Sequence, residues 1–282
     1  MHVASTEEIA FYQKCLSNSR RVDGRQSNQL RNFELVLGRD IIDTCNGSSK
    51  LYLPQENLTI LVGIKADVVS LVERAPGSSL VSINISSAVT KNQTVLEKEY
   101  LDKIIGEMSA ITQKMLDRFV TGDKLILIEK KLAWQVYLDV YINGYISYCN
   151  FDHLSYAVRA AMNSCELPEL DINLNNISNE YSFSVKDSCV VTPFASLNLP
   201  HYVVGGYSRG QIFFDLTLIE GMACDCVFLS LVSAEGAVLE LKKIDGGEIK
   251  PEGLITMMNE VRRFGKALYS YALFDITDRQ VV

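Results

Sequence analysis

A chain of 282 residues, 48% hydrophobic and 22% charged, can bury a sizeable core and lacks the compositional bias of a disordered protein. Its 27 Lys and Arg against 34 Asp and Glu give a net charge of −7 and a pI near 5.1, which excludes a free-standing nucleic-acid binder built on a broad basic face. The start, Met1-His2-Val3-Ala4-Ser5 running into Glu7, Glu8 and Lys14, lacks the basic opening and apolar core of a signal peptide, and no apolar run approaches a membrane span, so a soluble intracellular protein is expected.

Ser5 is placed to cap a helix over residues 6–16, with Glu8 closing a capping box. Residues 20–25 end that helix in a turn. Within them Asp23-Gly24 is a turn pair, because Gly accepts positive φ and the Asp side chain can bond backbone two residues on. Arg21 and Arg25 flank it, where they either pair with a carboxylate or a phosphate or stand solvated on an exposed turn. β-Branched and alternating runs predict strands over 33–37, 48–53 and 58–67, with a turn at 54–57 between the last two, and a further strand over 79–87. Leu101, Ile104, Ile105, Met108, Ile111, Met115 and Phe119 recur at helical spacing and predict a long amphipathic helix over 95–119. Strands follow at 125–128 and 133–145, the second alternating through Trp134, Val136, Leu138 and Val140. A helix over 151–165 stops before Pro168.

The Asn-rich stretch 171–181 has no hydrophobic pattern and favours turns, so it is read as the boundary between two halves. Beyond it strands are expected at 188–197, 202–205, 211–216, 224–233 and 237–244. A last helix runs from 251 to about 272, with Pro251 in its first turn and Leu254, Met257, Met258, Val261 and Leu268 on one face. Each half then has several strands and a long helix, an α+β layout of two related sheet-and-helix units. The division is an N-terminal helix and arm over 1–30, a first subdomain over 31–182 and a second over 183–282.

Cys15, Cys45, Cys149, Cys165, Cys189, Cys224 and Cys226 are scattered, and His2, His153 and His201 stand in no ligand spacing, so buried thiols and no metal or other cofactor are expected. His153 beside Asp152, without a Gly-x-Ser-x-Gly elbow, reads as a helix-surface histidine. Gly205-Gly206-Tyr207-Ser208-Arg209-Gly210 lacks the Gly-Lys-Ser/Thr ending of a phosphate loop and reads as a hairpin turn.

Arg21-Val-Asp-Gly-Arg25, Gly47-Ser-Ser-Lys-Leu51, Thr59-Ile-Leu-Val-Gly-Ile-Lys-Ala-Asp67, Trp134-Gln-Val-Tyr-Leu-Asp-Val140 and Asp215-Leu-Thr217 occur in the order and approximate spacing of ribonuclease PH-like proteins. The chain resembles that family over roughly residues 20–275, and most of all its subunits in the eukaryotic RNA exosome. The resemblance implies a ribonuclease PH-like fold (ribosomal protein S5 domain 2-like) and membership of a six-membered ring of homologous subunits. It also implies the homologue of messenger RNA transport regulator 3 as nearest neighbour, RNA-binding cap subunits above, single-stranded RNA threading the channel, no membrane, and a place in the nucleus, nucleolus and cytoplasm.

It implies a test of catalysis too. Active members open the helix after the long strand with a Gly-Thr-Arg-like triplet whose charge and helix-start amides hold phosphate. Here that place reads Cys149-Asn150-Phe151, where Asn150 can cap a helix and Phe151 brings no guanidinium. Of the two late carboxylates of active members, Asp215 fills the first position and Gly221 stands at the second. Glu220 next door points to the other face if the segment is extended, and is read as a surface residue. The arginine-rich entry to the long helix appears as Val95-Leu-Glu-Lys-Glu-Tyr-Leu-Asp-Lys103, leaving Lys91 and Lys98 as candidates to touch RNA in a channel. The expectation is a non-catalytic ring subunit supporting 3'-to-5' RNA processing and degradation. The alternatives are an active phosphate-dependent 3'-to-5' exoribonuclease of the same fold, and a self-sufficient RNA-binding module.

Overall fold

The computed structural model describes residues 4–38, 41–72, 74, 78–88, 95–175, 180–191, 194, 198–249 and 251–277. Ser5 accepts a hydrogen bond from the Glu8 amide at 3.1 Å and starts α1 (Thr6–Ser17), with Glu7 and Glu8 at the positive end of the helix dipole. The first sheet holds β1 (Glu34–Leu37), β2 (Gly47–Leu53), β3 (Leu58–Ser70), β4 (Val81–Ser87), β5 (Ile126–Ile128) and β6 (Leu132–Asn143), in the order β1-β2-β3-β6-β4 with β5 on β6. Pro54 opens the tight β2–β3 link and Asn57 closes it at φ 48°. β4 runs parallel to β6, so a crossover is needed. That crossover is α2 (Val95–Phe119), as the heptad-like spacing predicts.

Alternation along β6 sends Val136, Leu138, Val140 and Ile142 into the core and Tyr137, Asp139, Tyr141 and Asn143 to solvent, so the first sheet covers only one of its faces. Against the covered face lies α3 (Phe151–Asn163), buried at every position from Phe151 to Met162. Close approach of its C-terminal end requires Gly47, where a Cβ would stand 2.6 Å from the Cys165 Cα.

The described parts of the Asn-rich stretch are extended: β7 (Leu167–Asn175) pairs antiparallel with β8 (Glu180–Val191), Asp171 facing Ser184 and Asn173 facing Ser182. Backbone pairing asks nothing of a hydrophobic pattern, which is why the polar run hid it. β8 begins before and ends before the strand predicted at 188–197, and most of 192–197 lies outside the described residues. The division drawn at 182/183 falls inside β8.

The second sheet is β9 (His201–Ser208), β10 (Gln211–Phe214), β11 (Cys226–Val232) and β12 (Val238–Gly246), antiparallel in the order β10-β9-β11-β12. β11 is buried throughout and β9 nearly so, because α3 covers one side of the sheet and α5 (Pro251–Thr277) the other. Met257, Val261, Phe264 and Leu268 of α5 supply the seam, Phe264 stacking on Phe214 at 4.1 Å. α2 also reaches this sheet, since the Tyr202 hydroxyl donates to the Ile111 carbonyl at 3.2 Å. The layers are therefore sheet, helix pair, sheet, helix, with one hydrophobic cluster running through them. Gly205 and Gly206 sit within β9, not in a turn; the hairpin turn is at Arg209-Gly210, both at positive φ.

Among the described residues no helix is long and apolar enough to cross a membrane.

Candidate functional site

Between β10 and β11 the chain turns sharply. Asp215 takes φ 49°, in the left-handed region that Asp tolerates better than most residues, and Thr217 then caps a short helix, α4 (Leu218–Ala223). The segment is not extended, so Glu220 does not face away. It folds back as the third residue of a capping box, its carboxylate accepting from the Thr217 amide at 2.9 Å, and is 1% exposed.

The arm at 20–31 meets this turn. Arg21 donates to Glu220 through Nε at 2.8 Å and to the carbonyls of Phe214 and Asp215 at 2.9 and 2.8 Å. Arg25 lies 2.6 Å from Asp23 and 3.1 Å from the Asp215 carboxylate. Arg31 forks onto Asp215 Oδ1 through Nε and Nη2 at 2.8 and 2.6 Å, and its amide donates to Oδ2. Its Nη1 pairs with Glu56 of the β2–β3 link, whose other oxygen accepts from the Asn150 amide group at 2.6 Å. One network thus ties the arm, the first sheet, the start of α3 and the second sheet.

His153 lies in the same place, 0% exposed, with Nδ1 2.8 Å from Asp152 and Nε2 3.8 Å from Asp215. Burial disfavours its cation, but Asp152 and then Asp215 outweigh that and raise its pKa. Burial alone would raise the Asp215 carboxyl; His153 and the Arg31 guanidinium outweigh it and hold that carboxyl at about 2. One ligand atom each from Asp152, His153 and Asp215 lies within 4.8 Å of the others, a spacing open to a cation. Arg31 already brings positive charge to that point with geometry matched to a carboxylate.

The triplet before α3 is turned inward. Phe151 is buried and packs edge-on against Tyr202 at 4.8 Å between centroids. Asn150 makes no cap for α3; its side chain accepts from the Ser147 amide at 2.9 Å and closes the preceding turn. Cys149 is buried, and burial pushes its thiol up to about 12, far from a reactive thiolate. At Gly221 a Cβ would stand 2.6 Å from the Cys149 sulfur, so the thiol fills the space a second carboxylate would need. Beside Phe151 a cavity of about 40 Å³, edged by Glu107, Tyr148 and Lys242, has room for a few waters.

The structure sets Gly221 against the Cys149 sulfur and links Asn150 to Asp215 through Glu56 and Arg31, with Phe151 buried beside them. It corrects two sequence readings, since Glu220 and His153 are buried and not surface residues, and of the alternatives open for Arg21 it takes the pairing with a carboxylate. Lys98 is exposed on the first turn of α2, and Lys91 lies outside the described residues. Arg31 and Glu56 escaped notice because each sits in a short polar stretch without periodicity. The signal available for Asp152 and His153 was polarity inside an otherwise apolar helix.

The layered topology is that of the ribonuclease PH-like fold. The chain is similar to ribonuclease PH-like exosome subunits, which bears out the resemblance drawn from its segments. It is 25% identical over 159 residues to exosome complex component Rrp42 of Methanothermobacter thermautotrophicus, covering 56% of this chain and 56% of that protein. It is 23% identical over 239 residues to exosome complex component Rrp42 of Thermococcus gammatolerans, covering 84% and 83%. Exosome complex component rrp43 of Schizosaccharomyces pombe is 26% identical over 156 residues, covering 54% and 55%. The chain thus spans little more than half the length of two of these relatives. In solved structures the fold matches an archaeal exosome core (TM-score 0.65, 16% identity, 94% of this chain and 97% of that one). It also matches an Archaeoglobus fulgidus exosome with RNA bound to the active site (TM-score 0.67, 16% identity, 93% and 98%). No protein-family model matches the chain.

Proposed function

We propose that the chain is a non-catalytic subunit of an RNA exosome ring, supporting 3'-to-5' RNA processing and degradation by building the ring and part of its channel wall. The observation that carries the absence of catalysis is the filling of the phosphorolytic place. Asp215 is consumed by Arg31, and Phe151 and Cys149 pack where charge and a second carboxylate would stand. Phosphoryl transfer needs preorganised positive charge on the transferring group, and here the guanidinium groups are spent on protein carboxylates.

The ring reading is supported by the exosome relatives and by apolar side chains left at the surface. Phe183, Val185, Val190 and Val191 stand about half exposed on the β7–β8 hairpin, as do Leu254, Ile255 and Met258 on α5. Faces of this kind suit permanent contacts with homologous neighbours. Within the ring an Rrp42-like position is favoured, next to the homologue of messenger RNA transport regulator 3 and under RNA-binding caps, in nucleus, nucleolus and cytoplasm. Lys98, exposed on the first turn of α2, is the residue proposed to hold a phosphate of single-stranded RNA in the channel.

The test is to give the chain, alone and paired with that neighbour, labelled single-stranded RNA with phosphate and magnesium. No nucleoside diphosphate should be released beyond what the partner releases alone. Phosphate-dependent release that requires this chain overturns the non-catalytic reading.

A further inference from the structure

Beside the ionic cluster on α3, with Tyr156 packed on His153 at 5.9 Å between ring centroids, lies a second group of buried polar side chains, and it is unbalanced. Arg159 is 5% exposed, its guanidinium carbon stacked 3.7 Å over the Tyr269 ring of α5. Tyr269 is fixed in turn, its hydroxyl bonding Asn198 at 3.1 Å. Among the described residues no carboxylate pairs with Arg159, and its Nε has no acceptor. His201, at the start of β9, sits 5.8 Å from Tyr269 and 6.1 Å from Tyr156 between ring centroids, and neither of its ring nitrogens has a partner. The Tyr156 hydroxyl is buried and unpartnered as well.

Buried charge is ordinarily paired, and a guanidinium left alone in the interior is strongly unfavourable. Burial lowers the Arg159 pKa; burial and then Arg159 push His201 down to about 3, so the imidazole is neutral and offers one N–H. Burial and then nearby carboxylates raise the Tyr156 phenol well above its ordinary value, which keeps its O–H in place. The neutral imidazole and the phenol each offer a lone pair as well as a proton, whereas the guanidinium has donors alone, so Arg159 is the member of this set that lacks a counter-charge. The ligand chemistry that completes such a set is an acceptor of negative charge.

We propose that Arg159, His201 and Tyr156 form a binding site for a small oxyanion, which seats between α3 and the Tyr269 face of α5 and strengthens the docking of that helix. The site adjoins the Asp215 cluster through the contact of Tyr156 with His153, and it does not depend on the ring reading.

The test is thermal unfolding of the full-length chain in inorganic phosphate and, separately, in acetate, at ionic strength held constant with sodium chloride. At tenfold excess over the dissociation constant a saturable rise in Tm of about 2 °C or more is expected for one of the two. Arg159→Met, which keeps the stem and drops the charge, should lose that rise, and Arg159→Lys should keep part of it. A wild-type Tm that responds to neither ion, or an equal response in Arg159→Met, overturns the proposal. Hydrogen exchange of the wild type gives an arm that needs no variant. The responding ion should slow exchange in the C-terminal half of α3 and around Tyr269, and unchanged exchange there, or slowing confined to the arm at 20–31, also overturns it.

Discussion

Asp215 is completely buried, and its charge is tolerable because arginines and an imidazole surround it. Removing one member leaves the others as uncompensated charge, so Arg31→Met should cost about 3–5 kcal/mol, read as a fall in the urea midpoint at unchanged slope. The pH dependence has a definite sign. The Asp215 pKa is lowered on folding from 3.8 to about 2, so its contribution, on the order of 2 kcal/mol, is present above pH ~4 and is lost as pH falls toward 2. The His153 pKa is raised on folding, so its contribution is present below its ordinary value of 6.5 and fades as pH rises through the higher folded value. Stability measured against pH should drop on the acid side between about 4 and 2, and Asp215→Asn should flatten that limb. The filled second carboxylate position gives a further expectation. Gly221→Asp should destabilise by about 1–3 kcal/mol through the clash with the Cys149 sulfur, and Cys149→Ala in the same chain should recover part of the loss in a double-mutant cycle.

At the scale of elements, the arm at 20–31 is the piece on which the two sheets depend. It bonds β10 and α4 through Arg21 and Arg25, and the β2–β3 link through Arg31. Deleting residues 1–17 removes α1 and the buried Leu16, a loss of about 2–5 kcal/mol by analogy with emptying one core position. Deleting 1–31 also strands Asp215 and Glu220, and should leave the second sheet without cooperative unfolding, read as lost protection of β9 and β11 in hydrogen exchange. The contacts of Arg21 and Arg25 join residues nearly two hundred positions apart, which explains what the sequence could disclose. α2 was legible because its apolar stripe is a local, periodic signal over seven turns, and β3 and β6 because alternation is local too. The β7–β8 pair was missed because its pairing is made by backbone, and α4 because a short helix after a left-handed Asp has no periodicity to read. Arg21 was singled out, yet its partner Glu220 was assigned outward, since only the fold reveals that φ 49° at Asp215 reverses the chain there. Cys149, Phe151 and Gly221 were legible as a set only through the family pattern, whereas the contact between the Cys149 thiol and Gly221 is a fact of packing.

As a whole molecule the chain has a buried ionic network within and apolar side chains left at its surface. The half-exposed apolar side chains of the β7–β8 hairpin and of the first turns of α5 belong to opposite ends of the second half of the sequence, and a ring position would give them homologous neighbours. Backbone exchange in β8 should then slow when the chain is assembled with its partners, and an exchange profile of β8 identical in the free and assembled chain would remove that face from any interface. The measurement closest to the centre of the proposal is native mass spectrometry of the complex purified through this chain under its ordinary conditions. A hetero-oligomeric ring of ribonuclease PH-like subunits is the expected result, and recovery of a lone monomer or of a homo-oligomer would contradict it.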